Sequence, residues 1–355
     1  MRIGIPREVK VLEGRVGLVP DACAELVSAG HEVWLERGAG EASGYPDPSY
    51  STVGVKIAPD AAALYEQAQL VVKVKEPQPG ELPLLRRDHL LFCYLHLAAA
   101  PELARSLQEI GLTAIAFETV EEGGRLPLLA PMSEVAGRIS VQAGTRLLHR
   151  PAGGKGVLLG GVAAAPRGHV VVLGGGVAGG AAASVAAAMG AEVTVFDRQR
   201  EKLERMRALG ANVTGLFPYR EAIAAAVRRA DLVVGAVLIK GARAPHLVSA
   251  ELVREMQRGS VVIDISVDQG GCIETTRPTT WAEPTFEWEG VLHFGVTNMP
   301  GAVPRTSSQA LSAALFPYLT AVADGRWQQD PRLLAGVNIR DGEITHPAVR
   351  EALAA

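Results

Sequence analysis

Cysteine is scarce in this chain of 355 residues, and its three cysteines, Cys23, Cys93 and Cys272, include no C-x-x-C pair. Scattered single cysteines offer neither a disulfide framework nor a thiolate metal site, and they are typical of proteins in a reducing compartment. We therefore expect no bound metal and a cytoplasmic location.

Long runs of basic residues are also absent, and the formal net charge is −3 at pH 7. Neither a nucleic acid nor a membrane is therefore an expected partner. The first residues, MRIGIPRE, lead directly into a predicted strand, so we expect no signal peptide. One uncharged run, Val170 to Ala191, is long enough to cross a bilayer, but its central glycines divide it into a strand and a short helix.

Length and patterning predict the fold class. Apolar residues make up 48% of the chain and charged residues 21%, as in an ordinary globular protein, and the length favours two domains. Predicted strands and helices alternate, which favours parallel sheets covered by helices. We expect an α/β fold with two Rossmann-like, doubly wound domains. Since a long predicted helix near the C-terminus is expected to rejoin the first domain, that domain comprises residues 1–128 plus 305–355, with a dinucleotide domain, 129–304, inserted in it.

The most specific local pattern runs from Val170 to Asp197. A β-prone run leads into Gly174, Gly176 and Gly179, which satisfy G-x-G-x-x-G, and a small-residue helix and a second strand follow. Gly174 permits a tight turn, Gly176 lets the backbone approach a pyrophosphate, and Gly179 lets the helix pack closely. Asp197 ends the second strand, where a carboxylate accepts the ribose hydroxyls of an adenosine. The pattern predicts a dinucleotide site.

The acidic residue at the end of that second strand bears on the choice of dinucleotide. The carboxylate of Asp197 would repel a 2′-phosphate, which favours NAD over NADP. Arg198 follows directly and could offset part of this repulsion, so the preference stays open at this point.

Two predicted strands of the first domain end in residues that could carry chemistry. Lys73 and Lys75 share a face of one strand, and Tyr94 and His96 share a face of another. A structural ion pair would also explain a buried lysine, more readily for Lys73 than for Lys75, and a core position would explain His96 alone. Lys75 and His96, however, both lie at carboxyl ends of strands, where α/β sheets bind ligands. A cation beside an acid–base group suits a small keto acid.

A third candidate comes from the dinucleotide domain. Asp268 follows a nearly continuous apolar strand, Ser260 to Val267, and precedes Gln-Gly-Gly. That position is close to where a nicotinamide ring would rest, although a turn residue is the alternative explanation.

A series of motifs occurs in one order along the chain: GIPREVK with Arg15 shortly after it, VKVKEP, YLHLA, VLGGGVAGG, GAVLIKGARAP, DISVDQGG and NMPGAVPRTS. Together they resemble the alanine dehydrogenases, which are related to the NAD-binding subunit of the proton-translocating transhydrogenase. The resemblance spans nearly the whole chain. It implies reversible, NAD-dependent oxidative deamination of L-alanine to pyruvate and ammonium, and a homo-oligomer, which the family resemblance makes a hexamer.

The same resemblance implies roles for individual residues. Arg15 and Lys75 would hold the carboxylate and the carbonyl oxygen of pyruvate, and His96 would be the principal acid–base group, assisted by Asp268. Tyr94 and Asn298 would line the substrate pocket. The implied cofactor-binding residues are Ser133, Gly174, Gly176, Val177, Ala178, Gly179, Asp197, Lys202, Val237, Leu238, Ile265, Asp268, Arg277, Asn298 and Met299.

Two other functions remain open from the residues alone: an NAD(H)-binding subunit of a transhydrogenase, and a related amino- or imino-acid reductase. The chain also departs from the family pattern in places. Pro218 and Tyr219 stand where the family often has a serine, so no adenosine contact is predicted there.

Overall fold

The computed structural model describes residues 1–237 and 244–354, and the chain divides into two compact units. Unit 1 comprises Met1–Met132 and Gly301–Ala355, and unit 2 comprises Ser133–Pro300. The expected domain boundaries lie at 128/129 and 304/305, a few residues from these divisions. Each unit contains one α/β sheet, and unit 1 is built from two separate chain segments, so the predicted fold class is confirmed.

The described residues form these strands, numbered in chain order: β1 (Arg2–Ile5), β2 (Glu32–Glu36), β3 (Lys56–Ala58), β4 (Leu70–Val72), β5 (Leu90–Cys93), β6 (Thr113–Ala116), β7 (His169–Leu173), β8 (Glu192–Phe196), β9 (Val213–Leu216), β10 (Leu232–Gly235), β11 (Val261–Asp264), β12 (Thr285–Trp288), β13 (Val291–Phe294), β14 (Val337–Arg340) and β15 (Glu343–Ile344).

The α-helices of the described residues are α1 (Pro20–Ser28), α2 (Asp47–Ser51), α3 (Ala61–Gln67), α4 (Pro101–Ile110), α5 (Ala130–Leu148), α6 (Val177–Ala188), α7 (Arg200–Arg207), α8 (Arg220–Arg229), α9 (Ala250–Arg254), α10 (Pro304–Ala323), α11 (Pro331–Gly336) and α12 (Pro347–Ala354). No helix within the described ranges combines the length and the apolar composition that a bilayer crossing needs.

The sheet of unit 1 has the strand order β15-β14-β6-β5-β4-β1-β2-β3. Strands β1 to β6 pair in parallel, while β14 runs antiparallel to β6 and β15 antiparallel to β14. The central strands β4 and β5 are almost entirely buried, which accounts for their continuous apolar sequence. The residues that follow them, 73–75 and 94–96, therefore emerge together at the carboxyl edge of the sheet.

The sheet of unit 2 has the order β12-β13-β11-β10-β7-β8-β9, and all its pairings are parallel except that of β12 with β13. The order reverses at β7, which lies between β8 and β10, and ligands of doubly wound sheets bind at such a switch point. The uncharged run that begins in β7 continues into α6, so the predicted division into a strand and a short helix is confirmed.

Helix α10 belongs to unit 1 and fixes the loop between β1 and α1. Ser308 Oγ accepts the N–H of Val16 at 3.0 Å, and Ser312 Oγ accepts the N–H of Val19 at 3.2 Å. Both serines are fully buried, beside core leucines of the same helix. The loop that carries Arg15 is therefore held in place by hydrogen bonds to α10, a helix from the other chain segment of unit 1.

Candidate functional site

Arg15 lies in this loop and is only 3% exposed. Its guanidinium makes a two-point ion pair with Glu13, in which Nε donates to Oε1 at 2.6 Å and Nη2 donates to Oε2 at 2.5 Å. Nη1 lies 3.1 Å from Met132 Sδ. Burial by itself lowers the pKa of Arg15, but hydrogen bonding to Glu13 more than offsets this and the pKa is raised. The result is a rigid, permanently charged fork.

Lys75 follows β4 and is partly buried. Its pKa is lowered, first by burial and then by the positive charge of nearby Arg15. Among the residues that the structure describes, no hydrogen bond or ion pair holds the Lys75 ammonium. An anion bound beside Lys75 would relieve this repulsion, so Lys75 and Arg15 together form a candidate anion site.

Lys73 has a different environment, although it lies only two residues away. It is fully buried, and its Nζ donates to both carboxylate oxygens of Glu81 at 2.8 Å and lies 3.5 Å from Glu8 Oε2. The hydroxyl of Tyr65 also donates to Glu81, at 2.9 Å. Lys73 is therefore the structural ion pair that the sequence left as an alternative, and Lys75 is not.

Tyr94 and His96 lie beyond the end of β5, because the strand stops at Cys93 and not at Leu97 as the apolar pattern predicts. Their rings are nevertheless close to parallel, with an interplanar angle of 4° and centroids 5.9 Å apart. Tyr94 is buried, and its hydroxyl donates to the carbonyl of Leu128 at 2.6 Å. Burial also raises its pKa, so the phenol stays protonated. It forms a fixed wall beside the imidazole.

The backbone at His96 is in the left-handed region, with φ of +50°, which is uncommon for a residue other than glycine. Glu118 compensates by accepting the N–H of His96 at 2.6 Å and that of Leu95 at 3.2 Å. The imidazole is 38% exposed, and its Nδ1 lies 3.9 Å from Glu118 Oε1. Its main chain is therefore clamped while its ring nitrogens remain accessible for proton transfer.

The glycine loop of unit 2 shows why each of its three glycines is needed. Gly174 has φ of +99°, and a Cβ there would also lie 2.6 Å from the Ala236 carbonyl oxygen. A Cβ on Gly179 would lie 1.8 Å from the Gly174 oxygen, whereas a Cβ on Gly176 would meet nothing within 4 Å. The loop is thus tightly packed beneath and open above the N-terminus of α6. This open cradle fits the pyrophosphate of a dinucleotide.

Asp197 follows β8 and is anchored to the same loop. Its Oδ2 accepts the N–H of Gly175 at 2.8 Å, and its Oδ1 accepts the N–H of Gln199 at 2.8 Å. Lys202 Nζ lies 3.5 Å from Oδ2. Each carboxylate oxygen can accept a further hydrogen bond, so the group is oriented and still able to bind ribose hydroxyls.

Asp268 lies in a loop that a buried carboxylate fixes at both ends. Asp264, the last residue of β11, accepts the N–H of Ser266 at 3.0 Å and that of Cys272 at 2.8 Å. Asp268 lies between them in a 3₁₀ turn and is exposed. Ile265 begins this loop, and its N–H donates to the Gly235 carbonyl at 2.8 Å.

Some of the remaining predicted cofactor residues border the glycine loop. Val177 and Ala178 open α6, and Val177 is 51% exposed. A side-chain carbon of Val237 lies 3.4 Å from the position of a Cβ on Gly174. Ser133 lies in the first turns of α5. Leu238 falls outside the described residues.

The other predicted residues of unit 2 lie after Asp268 in the chain. The guanidinium of Arg277 lies over the ring of Phe286, 4.5 Å from its centroid. The carbonyl oxygen of Asn298 accepts the indole N–H of Trp281 at 3.0 Å, and Met299 is buried. Asn298 and Met299 thus sit in a structured turn.

Sequence reasoning missed the carboxylates that position these groups, namely Glu8, Glu13, Glu118 and Asp264. Glu118 carried a usable signal, because it lies just beyond the carboxyl end of a predicted strand, and Asp264 did so as the one charged residue within the predicted strand Ser260 to Val267. Glu8 and Glu13 lie in a loop with no periodic pattern, so no local signal distinguishes them from solvated glutamates.

Two family models match the chain. "Alanine dehydrogenase/PNT, N-terminal domain" matches residues 4–136, and "Alanine dehydrogenase/PNT, C-terminal domain" matches residues 140–347.

Individual relatives match over almost the full length. The alanine dehydrogenase of Halomonas elongata is 47% identical over 360 residues, which cover 99% of this chain and 96% of that protein. A solved structure of an L-alanine dehydrogenase has 48% identity and a TM-score of 0.96, and covers 100% of this chain and 99% of its own. The crystal structure of a transhydrogenase from Sinorhizobium meliloti has 26% identity and a TM-score of 0.85, and the match covers 98% of this chain and 100% of that chain.

Proposed function

Since the chain belongs to the alanine dehydrogenase/PNT family, we propose that Arg15, Lys75 and His96 carry its substrate chemistry. The chain is an NAD-dependent enzyme that catalyses the reversible oxidative deamination of L-alanine to pyruvate and ammonium. One observation supports the assignment above all others: the unpaired ammonium of Lys75 lies near the fixed guanidinium of Arg15, at the strand ends that also present His96.

The proposed substrate site uses the two cations differently. Arg15 holds the substrate carboxylate as a preorganised donor, because Glu13 fixes the guanidinium plane before substrate arrives. Lys75 acts as a point charge that polarises the carbonyl oxygen of pyruvate. The ring of Tyr94 forms one wall of this site, and Asn298 of unit 2 is a further proposed substrate-binding residue.

The proposed proton chemistry centres on His96. Its imidazole donates and accepts protons at the substrate oxygen and nitrogen as ammonia adds and water leaves, and Asp268 assists by orienting the amine. NAD supplies the hydride chemistry when it is bound. The clamp from Glu118 keeps the main chain of His96 in one conformation, so the ring needs little reorganisation between steps.

Unit 1 is the proposed substrate domain and unit 2 the proposed NAD domain. In unit 2 the open cradle above Gly176 receives the pyrophosphate, Asp197 with Lys202 receives the adenosine ribose, and the nicotinamide half meets the loop that begins at Ile265. The other residues of this proposed site are Ser133, Val177, Ala178, Val237, Leu238, Arg277, Asn298 and Met299.

We also propose that the enzyme is a cytoplasmic homohexamer, as the family resemblance implies. The free, buried thiols of Cys23, Cys93 and Cys272 are compatible with a reducing compartment. Light scattering on a sizing column measures the assembly directly, and a monomeric mass would contradict the hexamer.

The test of the substrate site is NADH oxidation with pyruvate, with and without ammonium, in the wild type and in His96→Ala. We expect turnover that needs ammonium in the wild type and is lost in the variant. His149→Ala, which removes an exposed imidazole outside the site, is the matched control and should keep full activity. Full activity of His96→Ala would refute the assignment, and turnover without ammonium would indicate a keto-acid reductase.

A further inference from the structure

Two neighbouring aromatic side chains in unit 2 have no role in the site described so far. Phe217 and Tyr219 are 47% and 68% exposed, and they are the only exposed tryptophan, tyrosine or phenylalanine side chains in the part of the chain that the structure describes. Their rings lie 4.9 Å apart at an angle of 51°. Exposing two large rings side by side costs solvation free energy, and such a patch marks a surface that binds something.

The position of the pair in the sheet indicates what that surface binds. Strand β9 pairs in parallel with β8, with Leu216 opposite Phe196. Asp197 and Phe217 are the next residues on the two strands, and the N–H of Asp197 donates to the carbonyl of Leu216 at 3.3 Å. The aromatic pair therefore begins one strand away from the carboxylate proposed to bind the adenosine ribose, at the same carboxyl edge of the sheet.

We propose that Phe217 and Tyr219 form an aromatic wall against which the adenine base of NAD stacks. The proposal rests on the NAD site proposed above, since the base is attached to the ribose that Asp197 receives. Every base presents a π-face, so stacking needs no further hydrogen-bond partner, and among the described residues no other phenylalanine, tyrosine or tryptophan ring is exposed.

The arrangement of the pair suits this role. Tyr219 lies directly before α8, and its N–H donates to the Phe217 carbonyl at 2.8 Å, which makes a tight turn at the end of the strand. Pro218 between them restricts the backbone further. The two rings are thus held at the sheet edge by a rigid main chain, and Phe217 supports the more exposed Tyr219.

The experiment measures binding of ADP-ribose and of nicotinamide mononucleotide by calorimetry, because only the first ligand carries adenine. Tyr219→Ala is expected to weaken ADP-ribose binding about tenfold, the size of a lost base–aromatic stack, and the double variant with Phe217→Ala to weaken it further. Tyr219→Phe keeps the ring and should restore binding to within about twofold of the wild type. Leu209→Ala, another exposed apolar side chain of unit 2, is the control.

The outcomes separate this proposal from others. Unchanged nicotinamide mononucleotide binding and an unchanged melting temperature in Tyr219→Ala support a contact with adenine, as does the rescue by Tyr219→Phe. Equal ADP-ribose affinity in the wild type and the double variant overturns the aromatic wall. If those variants instead change the mass of the assembly at unchanged ADP-ribose affinity, the pair is a contact between copies of the chain. A wild type that fails to bind NADH would overturn the NAD site itself.

Discussion

Replacing Glu8 with glutamine gives a measurable pH signature of the charges beneath the substrate site. The Glu8 side chain is buried, and its Oε1 accepts the N–H of Val74 at 2.6 Å and that of Lys75 at 3.3 Å. Its Oε2 lies 3.5 Å from the Lys73 ammonium. Burial raises the pKa of Glu8 from 4.5 to about 7, although the charge of Lys73 acts in the opposite direction.

The sign of the effect follows from where the proton resides. Between pH 4.5 and about 7 the folded chain keeps a proton on Glu8 that the unfolded chain has released. The free energy of unfolding therefore decreases as pH rises through this window, by about 3 kcal/mol in total and by about 2.5 kcal/mol between roughly pH 5 and pH 8. Glu8→Gln has no proton to lose, so it lacks this part of the pH dependence.

Urea unfolding at about pH 5 and about pH 8 measures how much the free energy of unfolding changes with pH in the wild type and in Glu8→Gln. The difference between these two changes is the contribution of the Glu8 proton. The buried histidines contribute pH dependence of the opposite sign, but they are present in both proteins and cancel. Glu32→Gln is the control, because the exposed Glu32 carboxyl has its pKa lowered from 4.5 by hydrogen bonds from Lys56 and Trp34, so its contribution is constant across this window. Parallel pH profiles for the wild type and Glu8→Gln would refute the reasoning.

Three further substitutions separate function from stability. Lys75→Met is expected to raise the melting temperature and abolish NADH oxidation, because it removes an ammonium whose pKa is lowered by burial and by the charge of Arg15. An active or less stable variant would contradict this prediction. Gly179→Ala is expected to destabilise the chain by about 1–3 kcal/mol, since its Cβ would lie 1.8 Å from the Gly174 oxygen. Gly176→Ala, whose Cβ meets nothing within 4 Å, is expected to unfold like the wild type and to bind NADH more weakly by calorimetry; equal melting temperatures for both glycine variants would count against the packing argument.

The fold was predictable because its signals are local. The apolar run of β7, the three glycines and the small residues of α6 each constrain the backbone within a few residues, so their order specifies a strand, a turn and a helix. The end of β5 was not predictable in this way. The apolar run continues past Cys93, and the left-handed backbone of His96 is stabilised by Glu118, a residue from beyond the next strand.

The two lysines of VKVKEP show why the site needed the structure. From sequence both lie on one face of the same predicted strand and both are costly to bury, and the pattern only favours Lys73 over Lys75 as a structural ion pair. What distinguishes them is the position of acidic side chains from other segments: Lys73 meets Glu81, whereas the described residues place no ion pair on Lys75. Lys73 has an acidic partner and Lys75 has none among the described residues, and this difference marks Lys75 as the lysine available for chemistry. Glu81 lies only eight residues after Lys73, but the contact depends on how the loop before β5 folds back onto the strand end, and the alternation of the strand pattern does not specify that path.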